Sequence, residues 1–278
     1  MPLRVVRLAL APVLAAALLS ATAGAALGRD ESVPEAKGSA ARTPVGYDIS
    51  YPQCGGTYPR DVAFGIVGVT EGIVFSANPC LGAGGDGESQ LAWAGPEAEL
   101  YMNTGNPGPE LSSYWPIGQM VPRVCSPDDP DTADCAYDYG WNAASDAYAV
   151  AVDAYISLGW ADATATRTPV PNHWWLDVET ANSWRDDPSL NVAALQGAVA
   201  YLESMEVASV GFYSVGPMWD AITGGTDAFA AYPSWVAGAS TLRGAKAVCR
   251  DASLTGGPVE LAQYIARGFD ADYRCSSS

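Results

Sequence analysis

Trp174-Trp175-Leu176-Asp177-Val178-Glu179-Thr180 is an apolar run that ends in two carboxylates two positions apart. Successive side chains of a strand point to opposite faces, so Asp177 and Glu179 share one side while Leu176 and Val178 pack against covering helices. Parallel strands buried on both faces read as such near-continuous apolar runs. Two carboxylates that converge at a strand's C-terminal end, inside a concavity, suggest chemistry on a glycosidic bond.

Outward from this run, short apolar strands alternate with helical patterns, which is the signature of parallel βα units. Upstream, strands are predicted at Val45 to Tyr51, carrying Asp48, at Phe64 to Thr70, leading into Glu71, and at Glu99 to Asn103. A Pro- and Gly-rich excursion follows from Thr104 to about Asp138, too long for an ordinary connector and so expected to be functional or a lid. Ala144, Tyr148, Val152, Tyr155 and Ile156 recur at near-helical spacing, which predicts a helix over Trp141 to Leu158. Asn191 is read as the cap of a helix through Leu195, Val199 and Leu202. Further strands are predicted at Ser209 to Ser214 and Pro233 to Gly238, weakly around Lys246 to Cys249, and at Val259 to Ile265, closing near Phe269-Asp270. The fold class is therefore α/β, a modified TIM-type (β/α) barrel with a helix-poor last third.

The N-terminus predicts export. Arg4 and Arg7 precede an apolar stretch from Leu8 to Leu19 and then small residues, the form of a cleaved signal peptide over residues 1–26. Residues 27–43 read as a disordered leader, and residues 44–278 as a single barrel domain of about 235 residues. Localisation is expected to be secreted, extracellular or associated with the cell wall, with no membrane partner once the signal is removed. Six cysteines in an exported chain suggest three disulfides out of fifteen possible pairings. By position, Cys125 pairs with Cys135 around a short acidic loop, Cys249 with Cys275, and Cys54 with Cys80.

Composition excludes several chemistries. Fourteen Lys and Arg stand against thirty-one Asp and Glu, a formal charge of −17, which opposes nucleic-acid binding. His173 is the sole histidine, so triads that need histidine are nearly excluded, and an aromatic-packed histidine at a strand start is the favoured reading. No Cys/His spacing suggests zinc. The acidic loop between Cys125 and Cys135 lacks the glycine and terminal Glu of an EF-hand, so no metal and no cofactor is expected. A monomer is expected.

The candidate acidic cluster is Asp48, Asp177, Glu179 and Asp270, with Asp272 the rival for the last place. An isolated Asp at a strand end is often a turn former or cap, which is the competing reading of Asp48. Burying Asp177 and Glu179 together without a function would need cationic partners, and those are scarce here. Glu71 either orients the cluster or caps a loop. Tyr101, Trp175, Tyr213, Trp235 and Tyr264 fall near the C-terminal ends of predicted strands, where an inward aromatic could stack on a sugar face; core packing is the ordinary alternative for each.

The ordered set Gly46-Tyr47-Asp48-Ile49-Ser50, Thr70-Glu71-Gly72, Leu176-Asp177-Val178-Glu179, Phe212-Tyr213-Ser214 before Trp219, Trp235-Val236-Ala237, and Gln263-Tyr264 before Phe269-Asp270 resembles glycoside hydrolase family 25, the lysozyme-like muramidases. The similarity spans about Val45 to Asp270, and the order of the motifs carries it. The resemblance implies a barrel whose later strands lose their helices, with Glu179 as general acid/base and Asp177, Asp48 and Asp270 completing the cluster. It implies hydrolysis of β-1,4 links in peptidoglycan or a related N-acetylated polysaccharide, with the substrate's N-acetyl group as nucleophile. Secretion, Ala/Gly usage and the excursion resemble an actinobacterial branch of such proteins. Tyr101-Met102-Asn103 departs from the family's usual Tyr-His-Phe, and the excursion is expected to reshape one wall of the cleft. Two other readings are a non-catalytic carbohydrate-binding or wall-associated barrel, which predicts a cleft blocked by the excursion, and a chitinase-type hydrolase, for which the aspartates upstream of Asp177 are missing.

Overall fold

A computed structural model of the chain describes residues 45–85, 87–161, 172–251 and 253–276. The chain divides into two units, 1–42 and 43–278, and all described residues belong to the second. The expected signal peptide and leader lie outside the described residues. Among the described residues, no helix is long and apolar enough to cross a membrane.

Eight strands close into a barrel in chain order: β1 Gly46–Ile49, β2 Gly65–Gly68, β3 Glu99–Asn103, β4 His173–Asp177, β5 Ser209–Ser214, β6 Ser234–Ala239, β7 Val259–Ala266 and β8 Phe269–Arg274. Neighbours from β1 to β7 run parallel, whereas β8 runs antiparallel to both β7 and β1. The helices are α1 Gln90–Ala94, α2 Ala133–Ser157, α3 Pro188–Ser204, α4 Gly216–Thr223 and α5 Leu242–Asp251. No helix separates β7 from β8, so the barrel is covered least where its ends meet, as the helix-poor last third predicts.

Period-two alternation decides what each strand sends inward. On β4, Trp174 and Leu176 join the large core shared with α2 and α3, while Trp175 belongs to an interior cluster with Ile66, Trp235 and Leu261. That inner layer is filled by aromatic rings, and Gly211 leaves room for one: a Cβ there would come within 2.3 Å of the Trp175 ring. Two further glycines allow α2 and α3 to touch backbone to backbone. A Cβ on Gly140 would lie 1.8 Å from the Ala194 carbonyl oxygen, and one on Gly197 would lie 1.9 Å from that of Tyr137.

Three local expectations are corrected. The helix expected over Trp141 to Leu158 starts at Ala133, because Thr132 accepts the Cys135 N–H and caps it inside the acidic loop; the excursion is correspondingly shorter. Asn191 is not a cap. Asp187 holds that position by accepting the Ser189 N–H, and Asn191 is buried, donating to the carbonyls of Arg185 and Ile222. The weak strand at Lys246 to Cys249 is part of helix α5, whose Leu242, Ala245, Val248 and Cys249 pack together at helical spacing. All three cysteine pairs are bonded as position suggests: Cys54 with Cys80, Cys125 with Cys135, and Cys249 with Cys275.

Candidate active site

At the C-terminal end of the parallel strands lies a cavity of about 200 Å³ lined by Asp48, Asp177, Glu179, Asp270, Tyr101, Tyr213, Trp235, Gln263, Ser50, Pro52 and Gln53. All four carboxylates proposed from the sequence thus meet in one concavity. Each arrives by simple strand geometry. Asp177 is the last residue of β4 and Glu179 follows on the same side. Tyr47 pairs with Ala271 and Gly46 with Asp272, so Asp48 stands opposite Asp270 across the β1/β8 pair. Because β8 runs antiparallel, Asp270 reaches this mouth from the start of its strand.

The buried carboxylates are held by neutral amides. Asn103 Nδ2 donates to Asp177 Oδ2 at 2.5 Å, and the asparagine is itself fixed by Thr70, whose hydroxyl donates to Asn103 Oδ1 at 2.8 Å and accepts the Asn103 N–H at 2.9 Å. Asp177 Oδ1 is buried without a partner. Gln263 Nε2 donates to Asp48 Oδ2 at 3.0 Å, and the Tyr213 hydroxyl donates to Gln263 Oε1 at 3.0 Å. Among the described residues no Lys or Arg lines the cavity. Burial, followed by the Asp270 charge, raises the Asp48 carboxyl to about 7. Burial and then the Glu179 and Asp48 charges push Asp177 well above the ordinary carboxylate range. Glu179 is raised by burial and by Asp270, and Asp270 by burial. Like charges gathered without cations are expected to share protons in this way. Glu179 is less deeply buried than Asp177.

Of the aromatics, Tyr101, Tyr213 and Trp235 line the cavity, with Trp235 packing tilted on Tyr213 at 4.5 Å and edgewise on Tyr101 at 6.0 Å. Three expected site residues lie elsewhere. Trp175 faces inward but one layer lower, where it donates to Glu99 Oε2 at 2.7 Å and stacks on His173 at 4.6 Å. Tyr264 points outward beneath α5 with Tyr47, Ala245 and Ala271, because the inward residues of β7 are Leu261 and Gln263. Glu71 is exposed, accepts from Ser76 Oγ at 3.2 Å and is absent from the cavity lining. Missed in turn were Asn103, Gln263, Ser50 and Gln53. The alternation of β7 was the signal for Gln263; Asn103 sits two residues after the inward Tyr101, in a motif where asparagine is unexpected.

The excursion does not wall the cavity: none of its residues lines it. Leu111, Ser112, Ser113 and Tyr114 instead build a separate groove of about 300 Å³ with Ile73, Phe75 and Ala181 to Ser183. Phe75 stacks on Tyr114 at 4.3 Å. The acidic loop does not gather its aspartates either, since Asp131 pairs with Arg185 at 2.5 Å and Asp134 with Arg123 at 2.9 Å. His173 lies at the opposite end of β4 from Asp177, against Ser209 and Glu260.

Neither a protein-family model nor a curated protein matches the chain. Solved structures do. A bacterial lysozyme from Streptomyces coelicolor superposes with a TM-score of 0.50 at 16% identity, over 86% of this chain and 94% of that one. A muramidase from Trichobolus zukalii gives 0.48 at 18% identity over 84% and 94%, and a family GH25 lysozyme from Aspergillus fumigatus 0.45 at 16% over 84% and 94%. At such identities the likeness is one of fold: this chain folds as the same kind of modified barrel as the Streptomyces coelicolor lysozyme.

Proposed function

We propose that the chain is a glycoside hydrolase of the lysozyme type, exported to the cell wall or beyond, which cleaves β-1,4 links in peptidoglycan or a related N-acetylated polysaccharide. The observation that carries this reading is the meeting of Asp48, Asp177, Glu179 and Asp270 beside Tyr101, Tyr213 and Trp235 in one cavity at the strands' C-terminal face. Barrel enzymes place their chemistry on that face.

Glu179, protonated because burial and Asp270 disfavour its charge, donates to the glycosidic oxygen as the bond to the anomeric carbon breaks. Asp177 Oδ1, without a protein partner, accepts the N–H of the sugar's N-acetyl group and turns the acetyl oxygen toward the anomeric carbon. That oxygen forms the new bond. Water, giving its proton to the now ionised Glu179, then attacks the anomeric carbon and releases the acetyl oxygen. Asp48 and Asp270 offset positive charge developing on the ring. Tyr213 and Trp235 offer faces for the sugar.

The reading as a wall-binding barrel without activity predicts a cleft blocked by the excursion, and no residue of the excursion lines this one. Export is supported by the three disulfides, which persist in oxidising compartments. The test is release of reducing ends from purified peptidoglycan by the wild-type protein and by Glu179→Gln. Activity lost in the variant, by roughly a hundredfold or more, supports the reading. Wild-type protein that sediments with the polymer but releases no ends would sink it.

A further inference from the structure

Asp272 lies directly beneath the cavity and is fully buried, and among the described residues no Lys or Arg pairs with it. Its Oδ1 accepts the Trp235 indole N–H at 2.8 Å, and its Oδ2 accepts no donor. The groups that face it are Asp48 from β1, Glu99 from β3, Trp235 from β6 and Gln263, its register partner on β7. Arg274, the next inward residue of β8, is taken up by Glu99. Asp272 pairs in register with Gly46, so Asp48, two residues further along β1, stands beside it on the same inward face, and two neighbouring carboxyls can hydrogen-bond only if one of them carries a proton.

Asp48 already accepts from Gln263, whereas Asp272 Oδ2 has nothing to accept and is the atom placed to carry that proton. We propose that Asp272 is a permanently neutral carboxylic acid whose O–H donates to Asp48, a positioning residue that aims the Asp48 carboxylate into the cavity and keeps it ionisable. Burial first, then the Asp48 charge, pushes the Asp272 carboxyl far above its ordinary range, in agreement with that geometry. Asp48 itself is surrounded by Asp270, Asp177, Tyr101 and Tyr213, all acidic or neutral, so neutral donors, the Gln263 amide beside it and a protonated Asp272 below it, lower its proton affinity without adding charge.

The catalytic part of the proposal rests on the hydrolase reading; the protonation state does not. Carbon-13 NMR titration of aspartate-labelled wild-type protein reads it directly. One carboxyl carbon that stays protonated at neutral pH and vanishes in Asp272→Asn is expected; ordinary titration of every aspartate overturns the proposal, whether or not the protein is an enzyme. In the peptidoglycan assay, Asp272→Asn keeps an N–H for Asp48 and is expected to retain activity within about threefold with an unchanged pH profile. Asp272→Ala removes the donor and is expected to lower kcat about tenfold, with the acid limb of the profile moved to higher pH and KM little changed. Loss in Asp272→Asn as deep as in Asp48→Asn would mean that a negative charge is needed at position 272, and the proposal fails. If wild-type protein releases no ends, the hydrolase reading falls and the NMR arm still decides the state of Asp272.

Discussion

Asn103 holds Asp177 through a 2.5 Å hydrogen bond across the β3/β4 pair, leaving the other carboxylate oxygen buried without a partner. Asn103→Ala leaves the buried Asp177 with no donor. Its activity on peptidoglycan is expected to fall about tenfold to a hundredfold through kcat, with stability lowered by about 1–3 kcal/mol. Kinetics and a urea melt check both; unchanged kcat would show that Asp177 needs no orientation.

The faces of β7 make a paired prediction. Gln263 bridges Tyr213 and Asp48 inside the cavity, whereas Tyr264 packs outward under α5. Gln263→Ala is expected to cost about tenfold in kcat/KM, and Tyr264→Phe less than about twofold. Equal losses would contradict the strand phase described here.

Stability is expected to fall as pH rises through the range where Asp48 ionises. Its folded pKa of about 7 stands above the ordinary 3.8, so the folded state holds a proton that the unfolded chain releases earlier. Its favourable contribution is complete below about pH 4 and lost as pH approaches 7 and beyond. Asp48→Asn removes this dependence and is expected to stabilise the protein at pH 8 by on the order of 2 kcal/mol, with little change at pH 4. Thermal melts at the two pH values decide it. A Tm gain no larger at pH 8 than at pH 4 would refute the assignment.

The α2/α3 contact depends on two missing side chains. Gly140→Ala and Gly197→Ala each drive a methyl group into a carbonyl of the facing helix. Each is expected to cost about 1–3 kcal/mol, and more if the helices cannot part. Denaturant midpoints of the single variants test this, and loss of less than about 0.5 kcal/mol would mean that the helices do not touch as described.

What the sequence reveals and what it hides follow from one rule. Strand alternation put Asp177 and Glu179 on one side, and apolar runs found the strands from β1 to β7. The same rule, applied without a phase, misplaced Tyr264, because an aromatic near a strand end is equally at home on either face. It also overrated Trp175, which has the right face but the wrong depth; period two says nothing about layer. Asn103 and Gln263 escaped attention because neutral amides carry no signature of their own until a buried carboxylate stands next to them. Helix α5 was hidden by a short Ala-Val-Cys segment that suits either element, until Leu242 and Ala245 extend it at helical spacing.

The pairing of β1 with β8 has a consequence for how the molecule is made. Asp48 and Asp270 stand 222 positions apart in the chain, yet they face each other across the seam that closes the barrel. A ribosome that has delivered everything up to β7 has produced most of the core but no acidic mouth, since half of the seam and one of its carboxylates are still unmade. Removing residues 269–278 would have the same effect, opening the seam and taking out Asp270 and Asp272 together. Closure of the barrel and assembly of the acidic cluster are therefore a single event, reached when β8 docks.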